Sequence, residues 1–169
     1  GFFDVESVWP KLEQALRQAI SNLVAMRETE GSNIYGDFIK RADLIAEKLA
    51  VIEERSPQVV EEYQIRLSDR INELLAKHNQ VIEPERLLQE VAIFADRTSI
   101  TEEIVRLKSH IKQFKLIIDA DQPVGRKLDF LIQEFNREAN TIASKANDYT
   151  LAQVVVEIKA EIEKIREQI

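Results

Sequence analysis

Apolar residues recur along this chain at a spacing that only an α-helix places on one face. Ile100, Ile104, Leu107, Ile111, Phe114 and Ile118 alternate steps of four and three. The same rhythm runs through Leu128, Ile132, Phe135, Ala139, Ile142 and Ala146, and again through Leu151, Val155, Ile158, Ile162, Ile165 and Ile169. Residues spaced in this way form one stripe, and that stripe must be covered by another helix. Four glycines and four prolines in 169 residues leave too few turns for an all-β chain, while 44% apolar and 31% charged residues suit amphipathic helices. The expected fold is all-α: long antiparallel helices in an extended bundle with coiled-coil-like seams. Three such seams in succession make self-association an expectation.

Helix boundaries follow from the punctuation. Ser7 is placed to cap a first helix with Trp9, Leu12, Leu16, Ala19, Leu23 and Met26, and Pro10 is tolerated in its first turn. Gly31-Ser32 interrupts the pattern, and a second helix follows with Phe38, Ile45, Leu49 and Ile52. Ser56-Pro57 reads as N-cap and first-turn proline of a third helix, with Val60, Tyr63, Leu67, Ile71 and Leu74. Glu83-Pro84-Glu85 opens a shorter fourth helix through Phe94. Ser99-Ile100-Thr101-Glu102 and Thr150-Leu151-Ala152-Gln153 fit the capping box. Asp119 through Gly125 is a turn, and Asn147-Asp148-Tyr149 an interruption. The last seam still runs at Ile169 with no C-cap glycine, which is the pattern of a cut helix.

Composition removes several classes of function. With no cysteine, disulfides and thiolate metal sites are excluded. No apolar run reaches the ~18 residues of a membrane span, and no signal-peptide pattern is visible. A net charge of −7 argues against indiscriminate coating of nucleic acid. Most of the acidity lies before residue 99, which leaves room for a local basic stripe beyond it. There is no HExxH, calcium loop, P-loop or nucleophile elbow.

What remains is polar chemistry on helix faces. Glu134, Arg137, Glu138, Thr141 and Lys145 share one broad face, which suits a divalent metal and a phosphate or, equally, a ladder of i,i+4 pairs. Glu103, Arg106 and His110 fall near one face of the preceding helix. An imidazole beside a carboxylate suits proton transfer in phosphodiester cleavage, and it equally suits a hydrogen-bonded half-buried histidine. His78, near a helix end, is explained by the favourable C-terminal dipole. Lys108, Lys112 and Lys115 form a basic stripe that Arg126-Lys127 extends, either an RNA-backbone track or a solvated flank. Glu102, Glu103, Glu134 and Glu138 are oxygen donors suited to Mg²⁺ or Mn²⁺ if two helices bring them together.

The wording of these segments is more specific than their spacing. EEIVRLKSHIKQF, GRKLDFLIQEFNREANTIASKAND and VVEIKAEIEKIREQI, with Arg27, Glu30 and Gly31 and the pair Gln89-Glu90 upstream, resemble the YicC-like (YicC/YloC stress-induced) family of bacterial proteins. The resemblance is densest after residue 85, giving an expected division into a helical middle part, 1–84, and a C-terminal domain, 85–169, able to pack as one unit. Ser99 stands where the family usually carries an acidic residue. The family's further N-terminal domain is not matched, so a C-terminal fragment is expected.

The resemblance implies a metal-dependent endoribonuclease, cytoplasmic and assembled as a homo-oligomer, a hexamer in the family, with RNA as substrate. Under it, Glu102, Glu103, Glu134 and Glu138 are candidate ligands for Mn²⁺ or Mg²⁺, and His110 a general acid or base. Arg106, Lys108, Lys112, Lys127, Arg137 and Lys145 are candidate RNA and phosphate contacts. Gln133 and Asn140 would orient neighbours or meet ribose. The competing readings are a non-catalytic helical oligomerisation module and an RNA-binding adaptor.

Overall fold

The computed structural model describes residues 5–120 and 125–169. Among these, five α-helices and no strand are found: α1 (Val5–Ala76), α2 (Pro84–Arg97), α3 (Thr101–Ile118), α4 (Gly125–Ala146) and α5 (Tyr149–Arg166). The all-α expectation is met. The chain divides into two compact units, Gly1–Ile39 and Lys40–Ile169. The expected turn lies partly at 121–124, outside the described residues.

The amino-terminal stretch differs from the reading of its punctuation. Where three helices were expected, α1 runs unbroken through Gly31-Ser32 and Ser56-Pro57. An interior glycine costs a helix only ~1 kcal/mol relative to alanine, and no described glycine adopts a positive φ. Pro57 removes one backbone donor, at ~3 kcal/mol. Ile45, Leu49, Ile52 and Val59 on either side of it are all buried, and each contributes about 1.5–3 kcal/mol. The seam outweighs the break.

The first unit is a helical segment whose apolar stripe is open. Val5, Trp9, Leu12, Leu16, Leu23 and Met26 are all exposed. Glu13 and Arg17 form an i,i+4 pair on its surface.

In the second unit the seams read from the sequence are the core. Ile104, Leu107, Ile111 and Phe114 of α3, Leu128, Ile132, Phe135, Ala139, Ile142 and Ala146 of α4, and Leu151, Val155, Ile158, Ile162 and Ile165 of α5 are buried. Phe114 and Phe135 meet with ring centroids 5.7 Å apart and tilted by 55°, an arrangement aromatic pairs favour.

Polar pairs fix the directions. Arg106 to Glu138 and Glu103 to Lys145 make α3 and α4 antiparallel. Lys159 to Asn140 does the same for α4 and α5. Residues 40–62 of α1 run against both α3 and α5. Lys115 pairs with Asp43 and Lys108 with Glu53, while Arg41 reaches Glu161, Lys48 reaches Glu157 and Arg55 reaches Asp148. The short α2, opened by Pro84 as expected, docks through Val91 and Phe94.

Two caps differ from expectation. Ser99 makes no cap; Ile100 is the N-cap of α3, without a side-chain cap bond, because its side chain fills the core at 1% exposure. Asp148, not Thr150, caps α5 by accepting from the Leu151 amide at 3.0 Å. Asn147 allows the tight joint by adopting φ 42°, a left-handed conformation that asparagine tolerates.

Candidate active site

The α3–α4 seam buries its apolar side and leaves the polar flanks of both helices facing one cleft. Arg106 and His110 of α3 and Glu134, Arg137, Glu138 and Thr141 of α4 line it, around about 460 Å³. Because the helices are antiparallel, residues advancing along one meet residues receding along the other. His110 therefore faces Glu134 while Arg106 faces Glu138.

His110, Glu134 and Glu138 each bring one donor atom to within 4.8 Å of the others. His110 Nε2 lies 3.8 Å from Glu134 Oε2, and neither ring nitrogen has a hydrogen-bond partner although both are buried. A buried polar atom left unpartnered costs ~1–3 kcal/mol, and both ring nitrogens keep unused hydrogen-bonding and ligating capacity. One imidazole and two carboxylates are borderline-to-hard donors of the kind that hold Mn²⁺ and related divalent ions. Ligands on opposite sides of an ion with ~2.0–2.2 Å bonds lie at most ~4.4 Å apart, so donors spread over up to 4.8 Å need draw in only slightly to share one. These three residues fit a metal ion.

Arg106 organises the wall of the cleft. Its Nε donates to Glu138 Oε1 at 2.8 Å, and its Nη2 lies 3.4 Å from Glu103 Oε1. The Glu138 hydrogen bond raises the pKa of this guanidinium. Glu103 sits behind the cleft, 2% exposed, and takes Lys145 Nζ at 2.7 Å. Burial pushes its carboxyl up, but the Lys145 bond, its own backbone amide and the neighbouring charges outweigh burial. The net pKa lies below the ordinary carboxylate value. Its Oε2 has no hydrogen-bond partner.

The remaining sequence candidates stand elsewhere. Glu102 is on the exposed side of α3, 3.5 Å from Arg106. Lys108 and Lys115 are tied to Glu53 and Asp43 of α1, and Lys112 is exposed between them. Lys127 lines a separate hollow with Arg126, Gln113 and Phe130. Arg137 is exposed at the cleft rim, 4.0 Å from Glu134. Gln133 donates to Asp129, and Asn140 accepts from Lys159. The structure thus brings together His110, Glu134, Glu138, Arg106 and Arg137, with Glu103 and Lys145 linked behind them. Glu102, Lys108, Lys112 and Lys127 lie apart. No local pattern marks Glu103 as buried, since a glutamate in a first helical turn is ordinarily solvated.

Comparison with known proteins places this architecture. Residues 52–169 match the family described as "Endoribonuclease YicC-like, C-terminal". The chain belongs to the YicC-like endoribonuclease family. It is 51% identical over 166 residues to a protein of Clostridioides difficile (strain 630) named "Probable endoribonuclease YicC", covering 98% of this chain and 56% of that protein. A Haemophilus influenzae protein of the same name is 35% identical, with the same coverage. The chain therefore spans 56% of the length of these relatives. No described helix is long and apolar enough to cross a membrane.

Proposed function

We propose that this chain carries the RNA-cleaving cleft of a divalent-metal-dependent endoribonuclease, with His110, Glu134 and Glu138 as ligands for Mn²⁺ or Mg²⁺. The observation that supports this reading is the convergence of those three donors, with the His110 nitrogens unpartnered, between two arginines. The names of the relatives supply the substrate class. A bound divalent ion would offset charge on the phosphate and on the attacking oxygen. Arg106 orients Glu138 through its Nε bond, the kind of outer-layer support that keeps a ligand in place. Arg137, at the rim, offers a fork of donors to a phosphate. Glu134, whose Oε2 lies 3.8 Å from His110 Nε2 and 4.0 Å from Arg137 Nη1, would hold the ion through one oxygen and take the proton of the attacking oxygen through the other.

The test is cleavage of a structured RNA with and without Mn²⁺ by wild type, Glu134→Gln and His110→Ala. The expected result is metal-dependent scission that both substitutions abolish with helicity intact. Full activity in both would remove the cleft from the chemistry. RNA that binds in a salt-sensitive way and stays intact would instead favour an adaptor.

A second observation supports assembly. The open stripe Val5, Trp9, Leu12, Leu16, Leu23 and Met26 has the spacing of a helix–helix seam, and we propose that the first unit uses it to associate with further copies. Sedimentation of Leu12→Glu/Leu16→Glu checks this; unchanged mass against wild type would contradict it.

A further inference from the structure

We infer that a second cleft, beside the first, binds a nucleotide flanking the scissile phosphate on the same RNA strand. The inference rests on the reading of the first cleft as the cleavage site. Tyr63, Phe94, Arg97, Ser144, Lys145 and Asn147 are among the residues lining about 700 Å³ where α1, α2 and the end of α4 meet.

Its lining has the mixture that single-stranded RNA needs. Tyr63 and Phe94 stack with centroids 3.7 Å apart and planes within 8°, and Tyr63 keeps part of its surface accessible. That aromatic platform offers a base a face to stack on. Arg97 is exposed and Lys145 half-buried on the lining, two cations for a strand backbone. The C-terminal ends of α2 and α4 also open here, at Thr98 and Asn147. Helix C-termini present carbonyl oxygens, which repel a bare phosphate but accept from ribose hydroxyls and exocyclic amines. The site therefore suits a nucleoside with its backbone against the cations, and not a free phosphate.

A chain of ion pairs links the walls of the two clefts. Lys145 of the second holds Glu103 at 2.7 Å, and Glu103 lies 3.4 Å from Arg106, which holds Glu138 of the first at 2.8 Å. Glu138 and Lys145 are two turns apart on α4, about 10 Å along its axis, a short step for an extended strand.

The test compares a ribodinucleotide, too short to reach both clefts, with a ribo-octamer, using fluorescence anisotropy and cleavage kinetics. Arg97→Ala, at an exposed position, is expected to weaken octamer binding about tenfold and to lower the salt slope by about one. The dinucleotide is expected to be unaffected, KM for the octamer to rise with kcat unchanged, and Arg97→Lys to restore most of the loss. A 4-thiouridine next to the cleaved position is expected to cross-link to the Tyr63 or Phe94 peptide. Equal effects on both lengths, no effect on either, or cross-links confined to other peptides would each overturn the inference. Failure of the first-cleft reading is separately visible. Glu134→Gln would then still cleave, while Arg97→Ala would still lose octamer affinity.

Discussion

Two charged clusters in the second unit have similar composition and opposite states of completion. Around Arg55, the guanidinium donates to Glu62 at 2.7 and 2.8 Å and to Asp148 at 3.1 and 3.3 Å, and Asp148 also caps α5. The Arg55 hydrogen bonds push both carboxyls below their ordinary pKa, and Arg55 is pushed up in return, first by Glu62. The α3–α4 cleft is different. His110 has two buried nitrogens without partners, and its carboxylate neighbours lie beyond ordinary hydrogen-bond distance. A saturated cluster holds elements together; an unsaturated one keeps donor and acceptor capacity that a ligand could use. Charge density alone distinguishes nothing, and completeness of pairing is the informative quantity.

That contrast can be broken by exchanging the consequences of mutation. The largest effect is expected at the cleft: Glu138→Gln lowers RNA cleavage at least ~100-fold, while weakening its bond to Arg106 costs only about 1–3 kcal/mol of stability. Single-turnover cleavage and a melting curve on the same sample check it. Next in size, Asp148→Ala removes a cap and a partner of Arg55 and costs about 1–2 kcal/mol of unfolding free energy. Metal binding should survive it, as denaturant titration and calorimetry would show. Equal damage to function from both variants would erase the distinction.

A smaller effect sharpens the comparison through pH. Asp148, Glu62 and Glu103 all have folded pKa values below their ordinary ones. Each therefore contributes stability that is fully present above the unfolded carboxyl range, about 3.9–4.3, and is lost as pH falls through the folded value. Stability should hold from neutral pH to about 5 and decline below it, with a shallower decline in Asp148→Asn. A decline that is identical in wild type and variant would contradict the assignment to this cluster. Smallest of all, Gly36→Ala should raise stability by about 0.5–1 kcal/mol. The added methyl group meets nothing within 4 Å, and a thermal melt reads the change.

Legibility in the sequence followed the range of the interaction. The seams of α3, α4 and α5 were readable because helical periodicity is local, and every seam residue from Leu128 to Ala146 proved buried. The unbroken α1 was not readable: Gly31 is a local stop signal whose cost of ~1 kcal/mol is small enough for the helix to absorb, and Pro57 is one whose cost is overcome by packing against residues far along the chain. The capping boxes failed for the same reason: Ile100 is placed by core burial, and Asp148 gains a second role from Arg55, 93 residues away. Within the site, Glu134 and Glu138 on one face of α4 were legible. Their meeting with His110 and Arg106 depends on the α3–α4 register, which no local pattern encodes. Tyr63, Phe94 and Arg97 come together from two helices and gave no local sign.

The central claim is that His110, Glu134 and Glu138 form one metal site. Isothermal titration of Mn²⁺ into wild type and into His110→Ala, Glu134→Gln and Glu138→Gln tests it most directly. The account predicts one Mn²⁺ per chain in wild type and affinity reduced at least ~10-fold in each variant, with helicity by circular dichroism unchanged. Mn²⁺ binding of wild-type strength in all three variants would contradict it.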